Sequence, residues 1–293
     1  MIVVTTPTGQ VGRQVLGNIM DSTEAIRVIT RDPARLSSRV RERAEAMQGS
    51  NDDIDVITSA FTGADCVFWL VPPNPRAGRP EDYYRDFTRP ACEAIKSQGV
   101  RRVVGVSTLG YGYPGDAGLL SAALGMDELI KNTGVNYRAL AMPYFMENLL
   151  PQAETIRNQG MFFLANAADR PLPTVATADI AAAAARLLLD SSWSGQDSLP
   201  VAGPDTSLTP AGMAQVISGV LSQAVGFQQI PVADYRATML RNGVSEAWAQ
   251  GMIDMAKAQD DGIYGRTPRN PQPAVPTSFR QWCADILKPA VLA

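Results

Sequence analysis

Ile2-Val3-Val4-Thr5-Thr6-Pro7-Thr8-Gly9-Gln10-Val11-Gly12 is the stretch on which the fold turns. An apolar run ends in a turn with two glycines three residues apart, after which Val11, Val15, Leu16 and Ile19 recur on one helical face. A glycine-rich turn between a first strand and a first helix lets backbone amides approach a pyrophosphate at the positive end of that helix. Gly9 stands where the chain must turn tightly, and Gly12 where the helix must pack against the sheet. The full G-x-G-x-x-G is not present, because Thr6 occupies the place of a first glycine. A plain strand, turn and helix with incidental glycines accounts for the motif by itself. The elements that follow decide for a nucleotide loop.

Residues 25–29 form a second strand candidate, 35–47 a charged helix and 54–61 a short helix. Cys66-Val67-Phe68-Trp69-Leu70-Val71 is a buried strand stopped by Pro72-Pro73. Tyr84, Phe87, Ala91, Ala94 and Ile95 then recur at helical spacing, followed by a strand at 102–107, a helix at 119–131 and a strand at 137–142. Strands alternating with helices predict a parallel sheet covered on both faces, the doubly wound α/β Rossmann class. After Pro143 the rhythm loosens into a helix at 179–189 and one more strand at 198–202. Helices at 210–223, 232–241 and 245–258, a Pro-rich tract at 267–276 and a last helix around 279–287 complete the chain. The expected division is a core over 1–150, with 172–203 returning to the sheet, and a smaller, mainly helical lobe over 204–293 that covers the ligand edge.

Composition narrows the chemistry. The 293 residues carry 26 Lys and Arg against 29 Asp and Glu, a net charge of −3, so no basic surface is offered to phosphate backbones and no nucleic-acid partner is expected. There is no histidine, which removes Ser-His-Asp and Cys-His catalysis, haem ligation by His and most catalytic zinc sites. Cys66, Cys92 and Cys283 form no C-x-x-C pair, so neither a disulfide framework nor a metal site is expected. No apolar run approaches the ~20 residues of a membrane span, and a strand starting at Ile2 leaves no room for a signal peptide. The expectation is a cytoplasmic protein, monomer or homodimer, away from membranes.

The second strand runs into Thr30-Arg31-Asp32-Pro33-Ala34-Arg35. In this fold the residue at the end of strand two faces the adenosine ribose, where a carboxylate takes both hydroxyls and favours NAD. A guanidinium instead forks onto a 2′-phosphate. Arg31 holds the position and Arg35 follows one helical turn later, so NADP(H) is expected in preference to NAD(H). The alternative is a solvated Arg31 that pairs only with Asp32.

The segments now resemble the NmrA-like, atypical short-chain dehydrogenase/reductase family over nearly the whole chain. Residues 6–12 look like its G-A-T-G-x-x-G, with Thr6 and Pro7 departing, and Arg31-Asp32-Pro33 like its R-x-P turn. Gly63-Ala64-Asp65-Cys66-Val67-Phe68 resembles its G-x-D-x-V-F, and Gly99-Val100-Arg101-Arg102-Val103-Val104 its strand-five opening. Met142-Pro143-Tyr144-Phe145-Met146-Glu147-Asn148 resembles R-P-x-x-F-m-E-N, and Asp179-Ile180-Ala181 the D-I-A of a later helix. The resemblance implies a Rossmann core, bound NADP(H) and a C-terminal lobe shaping a substrate cleft. The expected cofactor contacts are Thr6, Thr8, Gly9, Gln10, Val11, Gly12, Arg31, Arg35, Leu70, Val71, Pro72, Ser107 and Pro143.

That family holds both reductases and regulators that sense the dinucleotide without turnover. Tyr-x-x-x-Lys, in which lysine lowers the tyrosine pKa for proton exchange, is absent: no tyrosine has lysine four residues on. Leu124-Gly125-Met126-Asp127 also lacks the polar residues of many relatives, and the catalytic residue stays unassigned. Ser107 corresponds to the usual hydroxyl near the nicotinamide. Thr108, Tyr111, Tyr113, Tyr144, Phe145 and Asn148 are the expected substrate contacts, in an aromatic, Met-rich pocket with few ionisable groups, and 256–264 is the expected lid. The first reading is an NADP(H)-dependent oxidoreductase acting on a small planar carbonyl- or quinone-like compound, since hydride transfer needs orientation more than a protein acid. The alternatives are an NADP(H) sensor docking a protein through Trp248, Met252 and Met255, residues whose helical spacing more often marks lobe core, and a non-redox catalyst on the same fold.

Overall fold

The structure, a computed structural model, describes residues 1–265 and 277–293, so the Pro-rich tract at 267–276 lies outside the described residues. Strands β1 (Ile2–Val4), β2 (Ile26–Thr30), β3 (Glu45–Gln48), β4 (Cys66–Trp69), β5 (Arg102–Thr108) and β6 (Asn136–Met142) join Gln196–Pro200 in one seven-stranded sheet. Its order is (Gln196–Pro200)-β6-β5-β4-β1-β2-β3, every pairing parallel. The order reverses beside β1, the switch point at which open α/β sheets hold ligands.

Helices α1 (Gln10–Ile19), α2 (Ser38–Arg43), α3 (Ile54–Phe61), α4 (Pro80–Gln98) and α5 (Leu119–Lys131) follow the first five strands. Ile2 and Val4 pack with α1 and the Thr177–Leu189 helix, while Val3 packs with α3 and α4. Both faces are covered, so alternate residues are apolar in both directions and the strands read as unbroken apolar runs. A third core joins Phe162, Met213, Ile217, Phe279 and Trp282 to Leu109 and Ala141 at the carboxyl edge of the sheet. Trp248 is buried edge-on to Tyr83, 5.8 Å between ring centroids, so it belongs to the lobe's packing and not to a docking surface. Among the described residues no helix is long and apolar enough to cross a membrane.

The structure departs from expectation at 35–47. The chain makes a tight turn at Pro33–Arg35, then α2, which Ser37 caps by accepting from the Val40 amide at 3.3 Å, and then strand β3. Glu45-Ala46-Met47-Gln48 has helix-forming residues and little burial. Parallel pairing from Arg27↔Glu45 to Thr30↔Gln48 overrides that propensity. A short parallel pair, Met161–Leu164 with Gly226–Gln229, was likewise not expected in the later chain.

Glu147 fastens the lobe to the sheet. Both its oxygens accept the Thr177 amide at 3.0 Å, capping the Thr177–Leu189 helix, and Oε1 accepts Trp282 Nε1–H at 3.2 Å. Removing it strands an amide and an indole N–H. Glu147→Ala is therefore expected to cost about 1–3 kcal/mol, read as a lowered midpoint in urea unfolding.

Candidate dinucleotide site

The loop after β1 is bent by an unusual residue. Thr6 has φ +49°, the left-handed region that a β-branched side chain rarely enters. This is the position where the resembling family carries glycine, and threonine takes the glycine conformation. The Gly9 amide donates to the Thr6 carbonyl at 3.0 Å, closing the turn. Helix α1 begins without a side-chain cap and without an acidic residue in its first turn. The amides of Gln10, Val11 and Gly12 consequently meet no acceptor among the described residues. Free amides at the positive end of a ten-residue helix suit an anion. Gly12 is essential to the geometry, since a Cβ there would lie 2.2 Å from the Thr6 carbonyl oxygen.

A cleft of about 510 Å³ opens over this loop. Its walls are Thr6 to Gly9, Ile29 to Asp32 with Arg35, Gly49 to Asp52, Pro72 to Asn74, Tyr83 and Phe87. Two buried side-chain oxygens without a hydrogen-bond partner, Thr6 Oγ1 and Asn51 Oδ1, belong to these walls. Buried polar atoms are nearly always satisfied, so a pair of orphans in one cleft fits a polar ligand there. Arg31 and Arg35 are exposed and neither has an ion-pair partner among the described residues. Asp32 does not engage Arg31: its carboxylate accepts the Ala34 amide at 3.0 Å. The Tyr83 hydroxyl donates to the Pro72 carbonyl at 2.8 Å, and burial pushes its pKa up to about 12. The residues present thus fit a dinucleotide: an anion cradle, two unpaired guanidiniums and a flat aromatic wall.

Of the expected cofactor contacts, Thr6, Thr8, Gly9, Arg31, Arg35 and Pro72 meet in this cleft. Gln10 is exposed at the start of α1, Val11 and Gly12 are buried beneath the loop, and Val71 lies in the core. The Leu70 amide donates to Thr5 Oγ1 at 3.2 Å. Ser107 and Pro143 lie further along the carboxyl edge. Sequence reasoning missed Gly49-Ser50-Asn51-Asp52, because it read helix through the strand that delivers them.

The six expected substrate contacts differ in exposure and in partners. Thr108 gives its hydroxyl to the backbone carbonyls of Leu109 and Met142 at 3.0 and 3.3 Å. Tyr111 is 68% exposed, with Lys131 Nζ 5.3 Å from its ring centre. The Tyr113 hydroxyl donates to Asp261 at 3.4 Å. Tyr144 and Phe145 are half-buried and Asn148 is exposed. Burial holds the Tyr144 hydroxyl well above its ordinary pKa.

None of these residues lines the nearby hollow of about 470 Å³, whose walls include Arg170, Asp260, Asp261 and Tyr264. Charged groups gather at this hollow because the loop after Met161–Leu164 meets the end of the Glu246–Asp260 helix here. The expected lid at 256–264 is hydrogen-bonded to the loop after Met161–Leu164 and within itself. Asn166 Nδ2 donates to Gln259 at 2.9 Å, the Ala167 amide to Asp260 at 3.0 Å, and Gln259 to the Tyr264 hydroxyl at 2.8 Å.

Asp127 was passed over in sequence yet is buried behind β5. It accepts the Ser107 hydroxyl on one oxygen and the Tyr137 hydroxyl, at 2.6 Å, on the other.

Residues 7–191 match the family described as NAD(P)H-binding. The chain is 29% identical over 291 residues to (4-alkanoyl-5-oxo-2,5-dihydrofuran-3-yl)methyl phosphate reductase of Streptomyces griseus subsp. griseus, covering 97% of both. It is 26% identical over 264 residues to quinone oxidoreductase 2 of Escherichia coli, covering 89% of this chain and 87% of that protein. The crystal structure of the Escherichia coli NADPH-dependent quinone oxidoreductase with NADPH superposes at a TM-score of 0.76, with 24% identity and 90% of each chain covered. With its parallel sheet, its glycine loop and this match over most of its length, the chain belongs to the NAD(P)H-binding family, in the NmrA-like, atypical short-chain dehydrogenase/reductase group.

Proposed function

We propose that the chain is an NADP(H)-dependent oxidoreductase that reduces a small planar quinone- or carbonyl-containing compound. The observation that carries the reading is the cleft itself: the loop from Thr6 to Gly9 that leads into the free amides of α1, and the unpaired guanidiniums of Arg31 and Arg35 on its wall. In this reading the amides of Gln10, Val11 and Gly12 bind the pyrophosphate, and the two arginines fork onto the 2′-phosphate. Ser107 and Pro143 flank the nicotinamide end, where the bound cofactor supplies a hydride. The substrate lies beyond, along Thr108, Tyr111, Tyr113, Tyr144, Phe145 and Asn148. The relatives named as quinone oxidoreductase and dihydrofuranone phosphate reductase support a conjugated carbonyl as the acceptor.

The test is purified protein mixed with NADPH or NADH and a panel of quinones and enones, followed at the nicotinamide absorbance. The expected result is consumption of NADPH in preference to NADH with at least one acceptor. Tight NADPH binding without turnover on any acceptor would overturn the oxidoreductase reading.

A further inference from the structure

An unpaired buried carboxylate needs an explanation. Asp127 lies mid-helix in α5, 4% exposed, and takes part in no ion pair among the described residues. Removing a carboxylate from water without a cation is costly, and an apolar residue would serve packing as well. The surroundings are nevertheless built around it. Tyr137 is fully buried, and its hydroxyl passes over Gly105, where a Cβ would stand 2.1 Å from that oxygen, to reach Asp127 at 2.6 Å. A glycine inside a strand marks such a close approach. The other Asp127 oxygen accepts from Ser107. Ser107 is the penultimate residue of β5, at the carboxyl edge outside which ligands of open parallel sheets bind.

We propose that Asp127 and Ser107 form a proton relay for this site, with Ser107 touching the substrate oxygen and Asp127 storing the proton behind it. The proposal rests on the oxidoreductase reading above. When Asp127 is ionised, Ser107 and Tyr137 both donate into it and the serine hydrogen points inward. When Asp127 is protonated, its O–H donates to Ser107 Oγ and the serine hydrogen is free to point at the substrate. As a hydride from NADPH, which is oxidised to NADP+, adds to the substrate carbon, the π electron pair moves onto the substrate oxygen. The Ser107 O–H bond breaks toward that oxygen, and the Asp127 O–H bond breaks toward Ser107. Asp127 is left as a carboxylate accepting from Tyr137 and recovers its proton from solvent. The substrate gains one hydride and one proton.

The groups acting on Asp127 are Ser107 of β5, Tyr137 of β6, and Lys131 and Glu128 of its own helix. Cys92 of α4 lies beside Tyr137 and is kept neutral by burial. Burial outweighs the hydrogen bonds and Lys131, and pushes the Asp127 carboxyl up to about 6. Its protonated form is therefore the working donor at mildly acidic pH.

Asp127→Asn imitates the protonated acid, offering its oxygen to Tyr137 and its N–H to Ser107. Single-turnover oxidation of NADPH by cyclohexenone and by naphthoquinone is measured from about pH 5 to pH 8, with melting temperature read over the same range. The wild-type rate with cyclohexenone is expected to fall about tenfold per pH unit above the Asp127 pKa. Asp127→Asn is expected to be flat with pH and roughly a hundredfold slower at the acid end, with a smaller loss for naphthoquinone, whose reduced anion is a weaker base. Because the folded pKa is raised, the stability contributed by protonated Asp127 is present below the unfolded value and lost as pH rises through about 6. Wild-type melting temperature should therefore decline relative to Asp127→Asn over that window. Matching pH profiles in the two proteins, or parallel melting curves, would overturn the relay alone. Absence of turnover in the wild type overturns the oxidoreductase reading and the relay with it. If Asp127→Asn does not fold, Ser107→Ala carries the same pH test: a wild-type profile there also overturns the relay.

Discussion

Gly12→Val is expected to weaken NADPH binding by at least roughly a hundredfold, about 2.7 kcal/mol or more, while Gly9→Ala stays within about threefold of the wild type. The sequence treats the two glycines alike, and the structure separates them. A Cβ on Gly12 meets the Thr6 carbonyl oxygen at 2.2 Å, the Thr6 carbonyl carbon at 3.0 Å and Pro7 Cα at 3.3 Å. All three are backbone atoms, so no side chain can swing aside and the loop itself must move. That movement carries off the turn that aims the α1 amides at the ligand. On Gly9 the nearest contact is the same oxygen at 3.3 Å, which needs a shift of only a few tenths of an ångström. Gly9 also has φ −73° and ψ 167°, a conformation open to any residue. Calorimetric titration with NADPH checks both, with circular dichroism confirming that each variant folds. Wild-type affinity in a folded Gly12→Val protein would remove the loop from the binding site.

How much was legible follows from which forces act locally. Strands β1, β4, β5 and β6 announce themselves because each is buried on both faces, and so apolar throughout. The glycine loop between β1 and α1 was legible from its position, though not the left-handed Thr6. A sequence shows a missing glycine but not that threonine has adopted glycine's conformation. Strand β3 was illegible because an edge strand is held by one neighbour's backbone and needs no apolar pattern. Missing it hid Asn51, one of the two orphaned oxygens in the cleft. Asp127 was hidden differently. Either carboxylate in Gly125-Met126-Asp127-Glu128 looks like a solvated helix residue, and only packing against Ser107 and Tyr137 distinguishes Asp127. The aromatic residues after β5 and β6 were seen as one pocket, yet Tyr111 turns to solvent under Lys131 and Tyr113 reaches toward Asp261.

Arg31→Ala is expected to weaken NADPH binding by roughly ten- to a hundredfold, the equivalent of a charge-assisted bond worth about 1.5–3 kcal/mol, and to spare NADH. Arg31 directly follows Thr30, the last residue of β2, on the wall of the cleft, and in the proposed reading this strand end faces the adenosine ribose. Its guanidinium is not engaged by Asp32, whose carboxylate is committed to the Ala34 amide and so caps the Pro33–Arg35 turn. The same commitment governs NADH. A site that prefers NADH needs a carboxylate free to accept the ribose hydroxyls, and deleting Arg31 does not release Asp32 from its cap. The variant should therefore lose NADPH affinity without gaining NADH affinity, and converge on weak binding of both. Arg35 still faces the cleft, so the loss stays short of complete and shrinks further as salt screens the remaining charge. Parallel calorimetric titrations with the two cofactors at low and high salt test this, and an equal loss for NADPH and NADH would show that Arg31 shapes the cleft without reading the 2′-phosphate.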